Sequence, residues 1–162
     1  MLFRLKKYFL KFALYISKYL IPSDFFSPRF PISLKGIVII DNKILLLKDE
    51  NGIWDLPGGK LRNNEIVEDC IRREIKEEAD IDVEVEKIRD VLVKKINGWL
   101  QVFIVIYDCK VLSYSNLKIN ISEEHFDYGF YSIDELSNIN THEEYINLIK
   151  SSMQERIVDS EI

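Results

Sequence analysis

The sequence predicts an α/β domain built on a mixed β-sheet. Two apolar, β-rich runs are followed by an amphipathic helical segment. Two more long runs and a closing helical segment come after it. Elements interleaved in this order pack as layers of sheet and helix around one core. The chain has 162 residues, 47% hydrophobic and 30% charged, which suits one domain with a short extension. That is too apolar for a disordered chain.

Residues 1–31 read as the extension and residues 32–162 as the domain. Residues 1–20 carry Arg4, Lys6, Lys7, Lys11 and Lys18 and no acid. The remainder of the chain holds 17 basic against 27 acidic side chains. No Gly or Pro precedes Pro22, so the segment is expected to be a basic amphipathic helix. Charges interrupt every apolar stretch well short of the ~20 residues a membrane span needs. Three roles stay open: peripheral binding to an anionic membrane, packing on its own domain or on a second copy, and targeting. Pro22, Pro28 and Pro31 end the helix and read as a linker.

In the domain, Ile32–Asp41 and Ile44–Lys48 form an expected hairpin, with Asp41-Asn42 as its turn. Gly52–Gly59 is loop material. Glu65–Ala79 lacks Gly and Pro and repeats Val67, Ile71, Ile75 and Ala79 at helical spacing, with Asn63 or Asn64 as the expected cap. Val83–Lys95 and Trp99–Val111 read as a second hairpin turning at Asn97-Gly98. A polar loop over 113–127 leads to a short strand, Tyr128–Ile133, and a helical turn at Asp134–Leu136. Thr141–Arg156 is the closing helix, with Thr141 as its cap.

Composition narrows the function. Cys70 and Cys109 are isolated, at neither zinc nor disulfide spacing, which favours a reducing, cytoplasmic setting. A net charge of −5 argues against a partner that is a nucleic acid polymer.

The helical segment at 65–79 carries the chemistry. With Glu74 as origin, Glu78 lies about 40° to one side and Glu77 about 60° to the other. Three carboxylates on one narrow face repel, and a divalent cation relieves that repulsion. Hard oxygen ligands in this number suit Mg²⁺ or Mn²⁺. The competing reading is a solvated acidic face paired with Arg72, Arg73 and Lys76.

Gly59, Glu65, Arg73, Glu74, Glu77 and Glu78 stand in the spacing G-x5-E-x7-R-E-x2-E-E, with Ile75 and Ile81 in aliphatic slots. This stretch resembles the signature of the Nudix hydrolases over Gly59–Ile81. The order of strands over roughly 32–152, the Trp54–Gly58 stretch and Phe130–Leu136 are also similar to that family. The resemblance implies an α/β/α sandwich that hydrolyses a nucleoside diphosphate linked to another group (NDP-X). It implies Glu74, Glu77 and Glu78 as metal ligands, the Gly59 carbonyl as a further ligand, and a Glu65–Arg73 pair that stabilises the loop–helix–loop. The expected base is Glu77, Glu74 or a residue of the downstream loop. Glu124 leads there, with Glu123, His125 and Asp127 as alternatives. Arg73 and Trp54 are the expected substrate contacts. Trp54, Trp99, Phe103 and Tyr128 could stack a base, but aromatics on strands are more often core.

One departure stands out. Asp80 replaces the family's Gly after the helix, a position where the chain often turns left-handed. The chain has no proline after Pro57, a cue common among ADP-ribose-type members, and it lacks the tyrosine of dinucleoside polyphosphate members. The rival to an enzyme is a non-catalytic nucleotide-binding module that signals through residues 1–20.

Overall fold

The computed structural model describes residues 30–96, 100–113 and 119–160. The expected helix at 1–20, the Asn97-Gly98 turn and Trp99 lie outside them. Strands β1 (Ile32–Ile40) and β2 (Lys43–Lys48) form the expected hairpin. Asp41 and Asn42 both take positive φ, 49° and 58°, the conformation a two-residue hairpin turn demands. A two-residue strand, β3 (Trp54–Asp55), lies inside the predicted loop and pairs with β2. Helix α1 (Val67–Ala79) follows, then β4 (Val83–Ile96), β5 (Leu100–Val111), β6 (Asp127–Tyr131) and helix α2 (Glu143–Ser160). A 3₁₀ turn at Glu135–Asn138 precedes α2.

The sheet runs β3-β2-β1-β5-β4, with β6 also paired to β2. It is mixed because β1 and β5 run parallel, Ile32 opposite Phe103, while the other ladders are antiparallel. Alternate residues of β1 feed two cores. Leu34 and Val38 pack with Ile71, Ile75 and Ala79 of α1, and Ile37 and Ile39 pack with Tyr145, Ile149 and Met153 of α2. A strand covered on both faces has no polar side to show, which explains the almost unbroken apolar run of β1 and β2.

Both expected helix caps fail. Asn64 sits left-handed at φ 62° inside a turn closed by the Glu65 N–H on the Arg62 carbonyl. The chain therefore enters α1 through Ile66, which makes no side-chain cap bond. Thr141 donates its hydroxyl to the Trp54 carbonyl at 2.7 Å and ties the start of α2 to β3 instead of capping it. At the far side of α2, buried Asp108 gathers the Arg89 guanidinium and the Ser152 hydroxyl, and Arg89 reaches on to Glu155.

Candidate active site

The site begins at the half of β1 that β2 leaves unpaired. Only Ile39 and Ile40 pair with β2, so the earlier backbone groups of β1 are open to the loop that follows β3. Leu34 N–H donates to the Gly59 carbonyl at 2.8 Å, Gly36 N–H to the Pro57 carbonyl at 2.9 Å, and Leu61 N–H to the Ile32 carbonyl at 3.1 Å. The loop is laced to a central strand, and its glycines are held in place.

Those glycines have different reasons to be glycine. Gly58 takes φ 135°, and a Cβ there would fall 2.1 Å from the Leu34 carbonyl oxygen. A Cβ on Gly59 would fall 2.5 Å from the Glu74 carboxylate. The first admits close backbone crossing, and the second admits a carboxylate.

Lys35 fastens the loop from below. Its ammonium donates to the carbonyls of Leu56 (2.9 Å) and Gly58 (3.2 Å) and pairs with Asp55 at 2.9 Å. Burial alone would lower the Lys35 pKa, but Asp55, helped by Glu78 and Glu74, holds it above the ordinary value. Sequence reasoning missed this residue. The available signal was a lysine in the middle of the apolar run Ile32–Ile40.

Helix α1 brings its acids to the loop. Glu78, 8% exposed, accepts the Gly58 N–H at 2.7 Å through Oε2. Arg73 grips Glu65 with two parallel bonds, Nε to Oε1 at 2.6 Å and Nη2 to Oε2 at 3.0 Å. Its Nη1 donates to Glu74 at 2.6 Å and to Glu77 at 3.1 Å. The Arg73 bonds, with the Arg62 N–H, hold the Glu65 carboxyl down at about 2. Burial pushes the Glu74 carboxyl up, against the pull of Arg73.

The downstream loop closes the other side. Ser122 N–H donates to the Glu78 carbonyl, and Asn120 Nδ2 to Asp80. His125 Nε2 stands 3.0 Å from Glu78 Oε1, close enough for ion pairing, though the ring N–H is not aimed well enough for a hydrogen bond. Glu78 raises the His125 pKa against the opposing effect of burial. The buried Ser122 hydroxyl also lacks a partner among the described residues. Asp80 adopts φ 57° and ψ 33°, the left-handed conformation expected of it, and pairs with Lys76 at 2.8 Å.

Together these pieces enclose a cavity of about 440 Å³ lined by the 58–62 loop, Glu74, Glu77, Glu78, Ser122 and Glu124. The structure thus brings Gly59, the three helical acids and Glu124 to one place. It does not bring Glu123 or Asp127 to the cavity wall, and both are exposed. Trp54 lies elsewhere. It is edge-on to Tyr131 in the core on the α2 face, with Lys48 Nζ 5.3 Å over its ring. Phe103 is half-buried, and Tyr128 is exposed beside Phe130.

The donor set suits a hard divalent cation. Among the described residues no three acidic, His or Cys side chains form a closed ligand cage, because Arg73, Gly58 N–H and His125 hold the carboxylates. The set is nevertheless all oxygen, and burial raises the Glu74 carboxyl even though Arg73 pairs with it. The space beside Glu74 exists only because residue 59 has no side chain. A cation here would take over Arg73's contacts to Glu74 and Glu77. The Gly59 carbonyl keeps a second lone pair while it accepts from Leu34.

Known proteins resemble this chain in sequence and fold. A MutT-like protein of Streptomyces ambofaciens is 33% identical over 85 residues, 51% of this chain and 53% of that one. An ADP-ribose pyrophosphatase of Methanocaldococcus jannaschii is 41% identical over 65 residues, 38% of this chain and 37% of that one. The chain therefore spans about half or less of these relatives' lengths. Among solved structures, the MutT protein of Methanosarcina mazei Go1 superposes with a TM-score of 0.67 at 21% identity, covering 80% of this chain and 97% of that one. The family model of the NUDIX domain matches residues 35–151, a span that contains the lysine-fastened loop, the acidic helix face and the downstream loop, and the chain belongs to that family.

Proposed function

We propose that this protein is a divalent-metal-dependent pyrophosphohydrolase that cleaves an NDP-X compound by attack of water on phosphorus. The observation that carries the reading is the convergence of Glu74, Glu77 and Glu78 on one cavity against the Gly58–Gly59 backbone. The name of one relative, an ADP-ribose pyrophosphatase, supports anhydride chemistry of this kind.

Mg²⁺ or Mn²⁺, when bound, supplies charge neutralisation for the diphosphate and lowers the pKa of a water molecule. Glu74, Glu77 and Glu78, with the Gly59 carbonyl, are the residues to hold it. Arg73 aligns Glu74 and Glu77 through one nitrogen while Glu65 fixes its guanidinium plane, so both acids are oriented before substrate arrives. Arg73 Nη1, which reaches both acids, is the proposed contact to a phosphate oxygen. Glu124, exposed on the cavity wall and borne by a loop, is the group best placed to take a proton from the attacking water. Glu77 and Glu74 are the alternatives for that role. Trp54 contributes to substrate only if the part beyond the diphosphate extends toward the α2 face.

The domain proposed for this activity is 32–162, with 1–31 as a separate extension. Among the described residues no helix is long and apolar enough to cross a membrane. Two free, buried cysteines suit the cytoplasmic setting proposed for it.

The test is incubation with Mg²⁺ or Mn²⁺ and a panel of nucleotide sugars, ADP-ribose and oxidised nucleoside triphosphates, with chromatography of the products. Release of a nucleoside monophosphate, cut about 100-fold or more in Glu77→Gln and Glu78→Gln, is the expected outcome. Tight nucleotide binding with no turnover across the panel would instead favour the non-catalytic module.

A further inference from the structure

The β4 strand ends the sheet, and its outer edge pairs with no other strand among the described residues. It is long for an edge, 14 residues, and Val91 and Val93 stay 44% and 49% exposed along it, with Ile88 and Ile96 exposed at either end. Unpaired edges of this length are templates for a further strand and are normally blunted. Here the irregularity that would blunt it lies between Val85 and Asp90, whereas Asp90 to Ile96 keeps an unbroken ladder with β5.

The charges along that regular stretch select the partner. Consider an antiparallel strand of the same sequence, related by a two-fold axis through Leu92. Leu92 then meets Leu92, Val91 meets Val93, and Asp90 meets Lys94. These pairs match, and each unlike pair occurs twice because the axis repeats it. The axis also opposes Arg89 to Lys95, but Arg89 is already turned inward to Asp108 and Glu155. Asp90 and Lys94 are available: Asp90 Oδ1 accepts only the neighbouring Val91 N–H, Lys94 Nζ stands over the Tyr145 ring, and neither makes an ion pair among the described residues.

We propose that β4 is a self-association edge, pairing antiparallel with β4 of a second copy about Leu92 and joining two sheets into one continuous sheet. The proposal is independent of the catalytic reading, because the carboxylate cavity draws no residue from β4.

Sedimentation velocity on the full chain from about 1 to 100 µM tests it. The expected result is a species of twice the 19.1 kDa chain mass at the upper concentrations. Asp90→Lys turns two attractions into two repulsions and should weaken association by about tenfold or more. The double variant D90K/K94D restores opposite charges across the axis and should recover it. Leu92→Cys supplies a second measurement. Opposed Cα atoms on antiparallel strands lie ~4.5–5.5 Å apart, within disulfide range. Mild oxidation should therefore give a crosslinked dimer on a non-reducing gel, with little background from buried Cys70 and Cys109. A single monomeric boundary at every concentration overturns the proposal. So does a dimer indifferent to D90K, a double variant that fails to recover, or the absence of the Leu92→Cys crosslink.

Discussion

Gly59 and Glu74 share one space: a methyl group on the first would stand 2.5 Å from the carboxylate of the second. The neighbouring glycine faces backbone instead, with its Cβ position 2.1 Å from the Leu34 carbonyl. The two alanine variants should therefore fail differently. Gly59→Ala displaces a side chain that can rotate, so folding should survive while turnover falls about 100-fold, as expected for a misplacement near 1 Å. Gly58→Ala meets backbone at a φ of 135° and should destabilise the fold by about 2–3 kcal/mol or more. Thermal unfolding and steady-state kinetics on the pair separate the two effects.

Removing Lys35 leaves Asp55 largely enclosed without its partner, and it frees the carbonyls of Leu56 and Gly58. Lys35→Met should cost about 2–3 kcal/mol in urea unfolding. Adding Asp55→Asn should recover part of that loss, because the orphaned charge is then gone. A double variant no more stable than Lys35→Met would show that the ion pair is not the source of the stability.

The Glu65 carboxyl, held at about 2 by Arg73, has a defined pH signature. A carboxyl depressed in the folded state stabilises the fold above its unfolded pKa and loses that contribution as pH falls through the folded value. The contribution should be complete above about pH 4.5 and decline toward pH 2. Glu65→Gln should lower Tm at pH 7 and flatten its decline across that acid range. Equal acid slopes in the two proteins would rule out this assignment.

Asp80→Gly should leave turnover within a few-fold and stability within about 1 kcal/mol. Glycine relieves the left-handed backbone, while the exposed contacts to Lys76 and Asn120 that it removes are worth little. A loss of several kcal/mol, read from chemical unfolding, would mean those contacts do more than exposed pairs usually do.

Local patterning made most of the fold legible. The hairpin turn at Asp41-Asn42, the helix of Ile71 and Ile75 and the long β4–β5 pair all rest on residues near in sequence. The acidic face was equally visible, since Glu74, Glu77 and Glu78 lie within two turns. What escaped depends on partners distant in the chain. Lys35 finds its role only when residues 55–58 fold back on β1. Thr141 has the right chemistry for a cap, but the Trp54 carbonyl claims its hydroxyl. Asn64 was diverted by a turn that serves the Glu65–Arg73 clasp. Trp54 is an expected substrate contact, and no local pattern tells which face of the sheet it chooses.

The parallel ladder between β1 and β5 joins Ile32 to Phe103 and Val38 to Cys109, partners about 70 residues apart. Closing so wide a span slows folding, because entropy is lost before the contacts that repay it form. On the ribosome, the first hairpin can form early, but the strand that carries the glycine loop stays without its parallel neighbour until residue 109 has emerged. The acids of α1 are made well before that moment. A nascent chain of this protein should accordingly assemble the carboxylate cavity late and in one step, not gradually with length.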